Sequence, residues 1–461
     1  MLRNIRLESE KALDIVYFKA ISSVIQVKML VVSCLFGKMR NLRHIIPFLV
    51  ALFCLAFPNI SRAQEANWPW LLDGENFTIT GGSANSFFPS IASNGQIYFV
   101  VWHQQTDSGF CIYGARVTKG GDLLDPDGIP ICSGKNDQMY PSVAWDGVNF
   151  LVVWQDRRSG TQWDIYGARV NPEANREEAV LDPDGIPVAV GKSSYDQVSP
   201  TLSFDGENYL VVWQGKKNSK ARNIYFSMVS KEGKIIKKPA LLSPFSKDQA
   251  FPSVSFNGEF YLVVWQEKRS NQFWGIVGAI VSPSGEIANN GEEIQISPAV
   301  GQKIQWDRWK PEVSWNGEFY LIIWTSQREK DQWSVEGRRF QPYSTEDMDS
   351  EDLVLQRDST SNVFPAILWD DQKKQYLLLW EDDAAGESII EGASLQMQYD
   401  PFVKNDPVPI STSDARNASI PRVSSIGDKI LIIWGEVGPE GNWQVYGQRL
   451  KRVPDLPVGP R

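Results

Sequence analysis

The six residues YLVVWQ stand at 209–214 and again at 261–266, and FLVVWQ stands at 150–155. Their β-branched and aromatic content reads as a buried strand. One phrase repeated at a long interval marks stacked copies of a structural unit. Aligned on the Trp that closes the phrase, the chain shows seven copies, ending at Trp102, Trp154, Trp213, Trp265, Trp324, Trp380 and Trp434, spaced 52 to 59 residues apart. They fill nearly everything after residue 70, so 64–455 reads as one repeat domain and 456–461 as a tail.

Each copy has the same internal order. A Pro opens it, at 89, 141, 200, 252, 311, 365 and 421. A short run follows, then Asn-Gly or Asp-Gly at 94–95, 146–147, 205–206, 257–258 and 316–317. These dipeptides predict a hairpin with a type I′ turn. The apolar phrase comes next, then a polar loop. A third strand follows, such as DIYGARV at 164–170, and a fourth, such as IPVAV at 186–190. No helical period is seen after residue 63. A Gly recurs in the third strand at 114, 167, 278, 337, 392 and 447. A strand glycine marks a close approach, and the Trp of the second strand is the expected visitor. Phe226 replaces that Gly in the third copy.

Four antiparallel strands in units of fifty-odd residues indicate an all-β chain of propeller blades, seven in number. The chain resembles β-propeller proteins over about residues 70–450. In particular it resembles exported bacterial propellers whose blades read DGxNYLVVWxDxR followed by DIYGxRV. The Asp-box of sialidase propellers, S-x-D-x-G-x-x-W, is absent, and so is the WD dipeptide pattern of the WD40 class. The last copy stops after its third strand. Ile79 lies ten residues before Pro89, as Ile131, Val190, Leu242 and Leu355 lie before their own prolines. Residues 76–80 are therefore expected to pair with 445–450 as the outer strand of the last blade, closing the ring.

The N-terminus differs in kind. Arg40 and Arg43 precede an apolar run, Ile45 to Phe57, and Ser61-Arg62-Ala63 has the small residues of a cleavage site. Residues 39–63 read as a secretory signal peptide and 1–38 as an upstream extension; a long signal or an N-terminal anchor is the alternative. After Ala63 the chain keeps 37 of its 46 Lys and Arg and 52 of its 55 Asp and Glu, a net charge of −15. That balance argues against nucleic acid and anionic membrane surfaces as partners. No other segment reads as a membrane span, and the expected location is periplasmic or secreted. Cys111 and Cys132 remain after processing; they lie in adjacent predicted strands, where they form either a disulfide or two buried thiols.

Candidate chemistry is sparse. His103 is the one histidine after residue 63, which makes a Ser-His-Asp triad or a His-rich metal site a poor fit. It is expected in a loop at a blade end. Two loops read Asp-Pro-Asp-Gly, at 125–128 and 182–185, and are taken as turns rather than calcium loops. Four residues before each opening Pro stand Asn85, Asp137, Asp196, Asp248, Asp307, Ser361 and Asn417. Each could hold its own turn. Together they could instead form a partly charged ring able to hold a cation such as calcium. No other cofactor is indicated. A second set is aromatic: Trp163, Trp274, Trp333 and Trp443 at the starts of third strands, with Trp306 and Trp309 in the longest inter-blade loop. Amide and charged neighbours make them candidate platforms for sugar rings, or packing between blades. Trp306 and Trp309 are the ones expected to be exposed.

These features point to an exported binding module for a glycan or another cell-surface partner, without catalytic residues assigned. A carboxylate-based glycan hydrolase or lyase is the first alternative. It would draw on Asp156, Glu267, Glu381, Asp382 or Glu436, two of them roughly 5–10 Å apart. A scaffold for a protein complex is the second.

Overall fold

The computed structural model describes residues 68–453, apart from short stretches at 133, 192–194, 218–220, 244–246, 270–272, 299–305, 330–331, 343, 345–347, 358–359, 385–386, 398–402 and 412–416. The expected extension, signal peptide and tail lie outside the described residues.

Seven antiparallel sheets form the chain, six with their strands in sequence order from the inner to the outer edge and the seventh taking its outer strands from the N-terminal end. Blade 2 is typical: Gln138–Trp145, Phe150–Asp156, Asp164–Val170 and Ile186–Ala189. The only helical element among the described residues is a single 3-10 turn, Ala288–Gly291. None of their helices is long and apolar enough to cross a membrane.

The repeated phrase lies in the second strand, and the packing explains its unbroken apolar run. Tyr209, Val211 and Trp213 pack against Leu151 and Val153 of blade 2. Leu210 and Val212, on the other face, pack against Tyr261, Val263 and Trp265 of blade 4. Both faces of the strand are dry, so neither parity can be polar. One apolar cluster fills each of the seven blade-to-blade interfaces. Every phrase Trp points back to the preceding blade. Complete burial of each large side chain stabilises by roughly 1.5–3 kcal/mol, repeated around the ring.

The ring closes as the ten-residue offset predicts. Phe77–Thr78 pairs with Gly447 and Tyr446 of the last blade, and the Ile79 N–H donates to the Val445 carbonyl at 2.8 Å. That bond matches the one from Ile131 to Ile112 in blade 1 and from Leu242 to Ile224 in blade 3. A further segment, Trp70–Leu72, pairs with Leu450 to Arg452. Trp70 is fully buried and its indole N–H donates to Asp370 at 2.9 Å.

Two local expectations are corrected. In the hairpins only the glycine takes a positive φ, from 87° to 102°; Asn94, Asp146, Asp205, Asn257 and Asn316 do not. A type I′ turn needs both. The Asx oxygen makes up the difference: Asp146 Oδ1 accepts the N–H groups of Val148 and Asn149, at 2.7 and 2.6 Å. The third-strand glycines do not receive the Trp either. Gly167 sits opposite Val153, one residue before the Trp, and so faces the other way. A Cβ there would lie 3.0 Å from the Val152 carbonyl and 3.2 Å from Val153. The Trp stacks instead on the residue before the Gly position, as Trp102 does on Tyr113 and Trp213 on Tyr225.

Candidate functional site

The face where inner strands begin carries the rim residues. Each of five rim side chains accepts an N–H from the first residues of the third strand in the preceding blade. Asp137 holds Phe110 at 3.1 Å, Asp196 holds Trp163 at 3.1 Å and Asp248 holds Arg222 at 2.8 Å. Asp307 holds Trp274 at 2.9 Å and Asn85 holds Trp443 at 2.8 Å. The expected local turn is thus a clasp between blades. Asp248 adds an ion pair with Arg222 at 2.7 Å. Burial works to raise its pKa, but the Arg222 hydrogen bonds and charge outweigh it and hold the carboxyl below its ordinary value. A clasp spreads the carboxylates around the rim. Among the described residues no group of three His, Cys, Asp or Glu side chains could hold a metal ion.

The Asp-Pro-Asp-Gly loops are turns: the Gly128 and Gly185 N–H groups donate to the Asp125 and Asp182 carbonyls. Their first aspartates grip third-strand arginines, Arg116 and Arg169. Cys111 and Cys132 meet across blade 1 as expected, but as free thiols. Both reach Gln138 Oε1, at 3.6 and 3.5 Å. The hydrogen bond with Cys132 draws the Cys111 thiol down to about 7, while burial pushes Cys132 well up.

The tryptophans sit on the same face. Trp309, two residues before Pro311, lies between Trp274 and Trp333, with ring centroids 6.1 and 6.0 Å away. All three are half-buried. They form one contiguous aromatic surface spanning blades 4 and 5. Trp306 and Trp309 are both less open than expected: each is half-buried and its indole nitrogen is buried. Trp306 is flanked by Arg328 at 4.5 Å and Arg308 at 5.2 Å. Trp163 stands apart beside Arg157, at 5.9 Å. Trp443 packs on Phe87, at 5.8 Å.

Deeper in, the residue before each opening Pro is left-handed: Phe88, Tyr140, Ser199, Phe251, Lys310, Phe364 and Ile420, with φ from 48° to 57°. The inner strand bulges there in every blade, because Pro cannot donate to the ladder. From blades 2 to 5 the displaced N–H donates into the preceding blade, to the residue after its phrase Trp. Gln155, Gln214 and Gln266 accept it from Ser199, Phe251 and Lys310, at 3.1, 2.9 and 2.9 Å. His103 does the same for Tyr140 through Nδ1, at 3.4 Å. His103 is therefore a buried strand residue, not a loop residue. It stacks on Phe88 at 5.5 Å, and burial lowers its pKa to about 3. It is a neutral acceptor and a poor general base at neutral pH.

Glu381 fills the same place in blade 6, accepting the Ile420 N–H where blades 1 to 4 use an amide or imidazole. Burial raises its carboxyl to about 7, and Oε2 has no partner. Lys310 lies between Phe364 and Phe251, its ammonium 3.8 and 5.1 Å from the ring centres. Burial, and then the charge of Arg422, lowers it to about 8. One residue past the prolines, Ser90, Ser142, Thr201, Ser253 and Ala366 are small. Glu312 and Arg422 hold that place in blades 5 and 7 and meet at 3.6 Å. A contact that skips blade 6 can form only on the inner side of the ring, so these side chains line the channel. Their common feature was hidden in the sequence: each is a charge where other copies are neutral.

Two of the other acids serve structure. Asp156 accepts the Trp154 indole N–H and pairs with Arg158. Glu436 accepts that of Trp434. One carboxyl pair does converge, Glu267 with Glu293, which share Gln249 at 3.0 and 2.7 Å. Burial and Glu267 raise Glu293 to about 7. Glu267 is fully buried, however, and held by Lys247 and Arg269, both at 3.0 Å.

No family model matches the chain, and no curated protein does. Solved structures do. Polysaccharide lyase Uly1 is similar with a TM-score of 0.53 at 12% identity, over 86% of this chain and 95% of that one. A protein of unknown function from Dyadobacter fermentans DSM 18053 is similar at 0.46 and 12% identity, over 82% and 98%. TolB from Acinetobacter baumannii reaches 0.38 at 12%, over 77% and 80%. Likeness at this identity is of fold: the chain is a seven-bladed β-propeller.

Proposed function

We propose that this chain is an exported binding module whose ligand is a glycan, held at the channel mouth of blades 4 and 5. The observation that carries the reading is the aromatic surface of Trp274, Trp309 and Trp333, half-buried and contiguous. Indole faces stack on the apolar faces of sugar rings, and the polar rim around them offers hydrogen bonds. A purely structural role would call for such a cluster at every interface, and the equivalents of Trp309 are Phe87, Met139, Val198, Ala250, Val363 and Ser419. The likeness to a polysaccharide lyase is of fold alone and is not the ground for this reading. Export rests on the signal peptide read in residues 39–63. Binding is favoured over hydrolysis because no two free carboxyls converge among the described residues that line the channel.

A glycan array with residues 64–461 tests the reading, followed by titration of the best ligand against Trp309→Ala. The expected result is a saturable ligand whose affinity falls at least tenfold in the variant, with an unchanged circular dichroism spectrum. No glycan bound, or equal binding by the variant, would overturn it.

A further inference from the structure

The channel wall of blades 5 to 7 carries charges that the repeat does not call for. Four positions depart from their equivalents: Lys310, Glu312, Glu381 and Arg422. Glu312 and Arg422 meet on the inner side of the ring, and Lys310 lies within reach of the charges of Arg422, Glu312 and Glu381. Two of the four are cations, held close enough that Arg422 depresses Lys310. Among the described residues the Lys310 ammonium meets no carboxylate within ion-pair distance; it lies over the rings of Phe364 and Phe251. Arg422 shares Glu312 with the Ser253 hydroxyl, which donates to the carboxylate at 3.0 Å. Its other amino group donates to the Pro421 carbonyl at 2.9 Å. Glu381 leaves one oxygen unpartnered.

We propose that this wall is a binding pocket for the carboxylate of an acidic sugar, with Lys310 and Arg422 as its cations and Glu381 as a neighbouring hydrogen-bonding carboxyl. The proposal rests on the glycan reading and names the ligand class within it. The local charge decides the sign. Glu312 offsets one cation, and Glu381, whose carboxyl burial raises to about 7, offsets the second only in part at neutral pH. A monoanion relieves the repulsion between Lys310 and Arg422 and gives the buried ammonium a counter-charge. A guanidinium and an ammonium both suit a carboxylate, the first as a fork and the second as a point charge. A neutral sugar would leave the buried cations as they are. Lys310 follows Trp309 directly in the chain, so a ring stacked on the tryptophans would sit beside the channel wall.

The test uses residues 64–461 and two probe sets. The first compares oligogalacturonate with its methyl ester and with a neutral galactan of the same length by calorimetric titration. The second follows the melting temperature in free glucuronate against glucose. Oligogalacturonate should bind at least tenfold more tightly than the ester. Lys310→Met and Arg422→Gln should each remove that preference while leaving the weaker ester binding, and Trp309→Ala should weaken acid and ester alike. Equal affinity for acid and ester overturns the pocket and leaves the glycan reading standing. Failure of every polysaccharide, with a Lys310-dependent melting shift in glucuronate, overturns the glycan reading and keeps the anion pocket. No shift in glucuronate together with no acid preference overturns the pocket. Because Lys310→Met removes a buried charge it should fold; if it does not, Lys310→Arg should retain the acid preference.

Discussion

Blades 2 and 3 differ from blades 5 to 7 in what their inner strands carry. In the first sector Gln155 accepts the Ser199 N–H, Asp196 accepts the Trp163 N–H, and Ser142 and Thr201 line the channel. Every one of these roles recurs elsewhere in the ring. In the second sector the backbone is unchanged, with the same bulge before Pro and the same left-handed residue. Only the side chains differ, and they differ in charge. A repeat solves its folding problem once and copies the solution. Positions that leave the copy without changing the backbone are free of that demand, so the charged sector is where function is to be sought.

The largest expected effect lies outside both sectors, at the seam that lets either exist. Trp70 is fully buried between blades 6 and 7 and bonded to Asp370. Trp70→Ala should cost about 3–5 kcal/mol, as truncation of a buried aromatic does. Trp309→Ala, half-buried in the charged sector, should cost no more than about half of that. Chemical denaturation of the two variants makes the comparison. A loss below about 1 kcal/mol at Trp70 would mean that the N-terminal segment is not what closes the ring.

The next effects run in the opposite direction and separate the sectors. Lys310 has its pKa lowered from 10.5 to about 8, so the folded state binds its proton less tightly than the unfolded state. The resulting cost is absent above pH 10.5, grows as pH falls towards 8, and is complete below it. Lys310→Met should therefore stabilise the protein at pH 7, by about 3 kcal/mol given 1.36 kcal/mol per pKa unit. Glu381 is the mirror case. Its pKa is raised from 4.5 to about 7. The folded state holds the extra proton, so stability is lost as pH rises through that window. Glu381→Gln restores the amide found at Gln155, Gln214 and Gln266. It should equal the parent below pH 4.5 and exceed it by about 3 kcal/mol above pH 7. The same exchange reversed in the regular sector, Gln155→Glu, should destabilise with the same pH dependence. Denaturant midpoints at pH 4.5 and 8 decide this. A pH-independent difference at Glu381 would show that the carboxyl is not buried as described.

The sequence made the regular sector legible and the charged one illegible for the same reason. Proline, Asx-Gly and the Trp phrase are each under one local demand, so their spacing gives the blades, and the ten-residue offset of Ile79 gives the closure. The bond from Ser199 to Gln155 joins residues 44 apart in different blades. No local pattern announces it, and His103 was therefore assigned to a loop. The third-strand glycines failed for want of parity: their face depends on a one-residue register that only the ladder supplies. Glu381 was grouped with Asp156 and Glu436 because all follow a phrase Trp. It is one residue from its Trp and they are two, which places them on opposite faces of the strand. Convergence of Lys310, Glu312 and Arg422 needed the ring itself.

The smallest expected effect concerns the rim, where both sectors share one device. Asp196 and Asp248 each accept an N–H from the preceding blade, and Asp248 also pairs with Arg222, the two side chains both 31% exposed. Asparagine keeps an oxygen that can accept the same N–H. Asp196→Asn should therefore lose only the charge assistance, about 0.5 kcal/mol, and Asp248→Asn somewhat more with its partly screened ion pair. Replacement by Ala removes the acceptor and should cost about 1–2 kcal/mol, because the N–H of Trp163 or Arg222 loses its partner. Calcium provides the second reading of the same residues. Carboxylates that clasp separate interfaces do not share an ion, so the melting temperature should be the same in calcium and in chelator. A ring that gathered its charges would instead be stabilised by linkage. A calcium-dependent rise of several degrees, abolished in the Asp196→Asn and Asp248→Asn double variant, would show that the rim binds a cation and would move the functional face from the charged sector to the whole circumference.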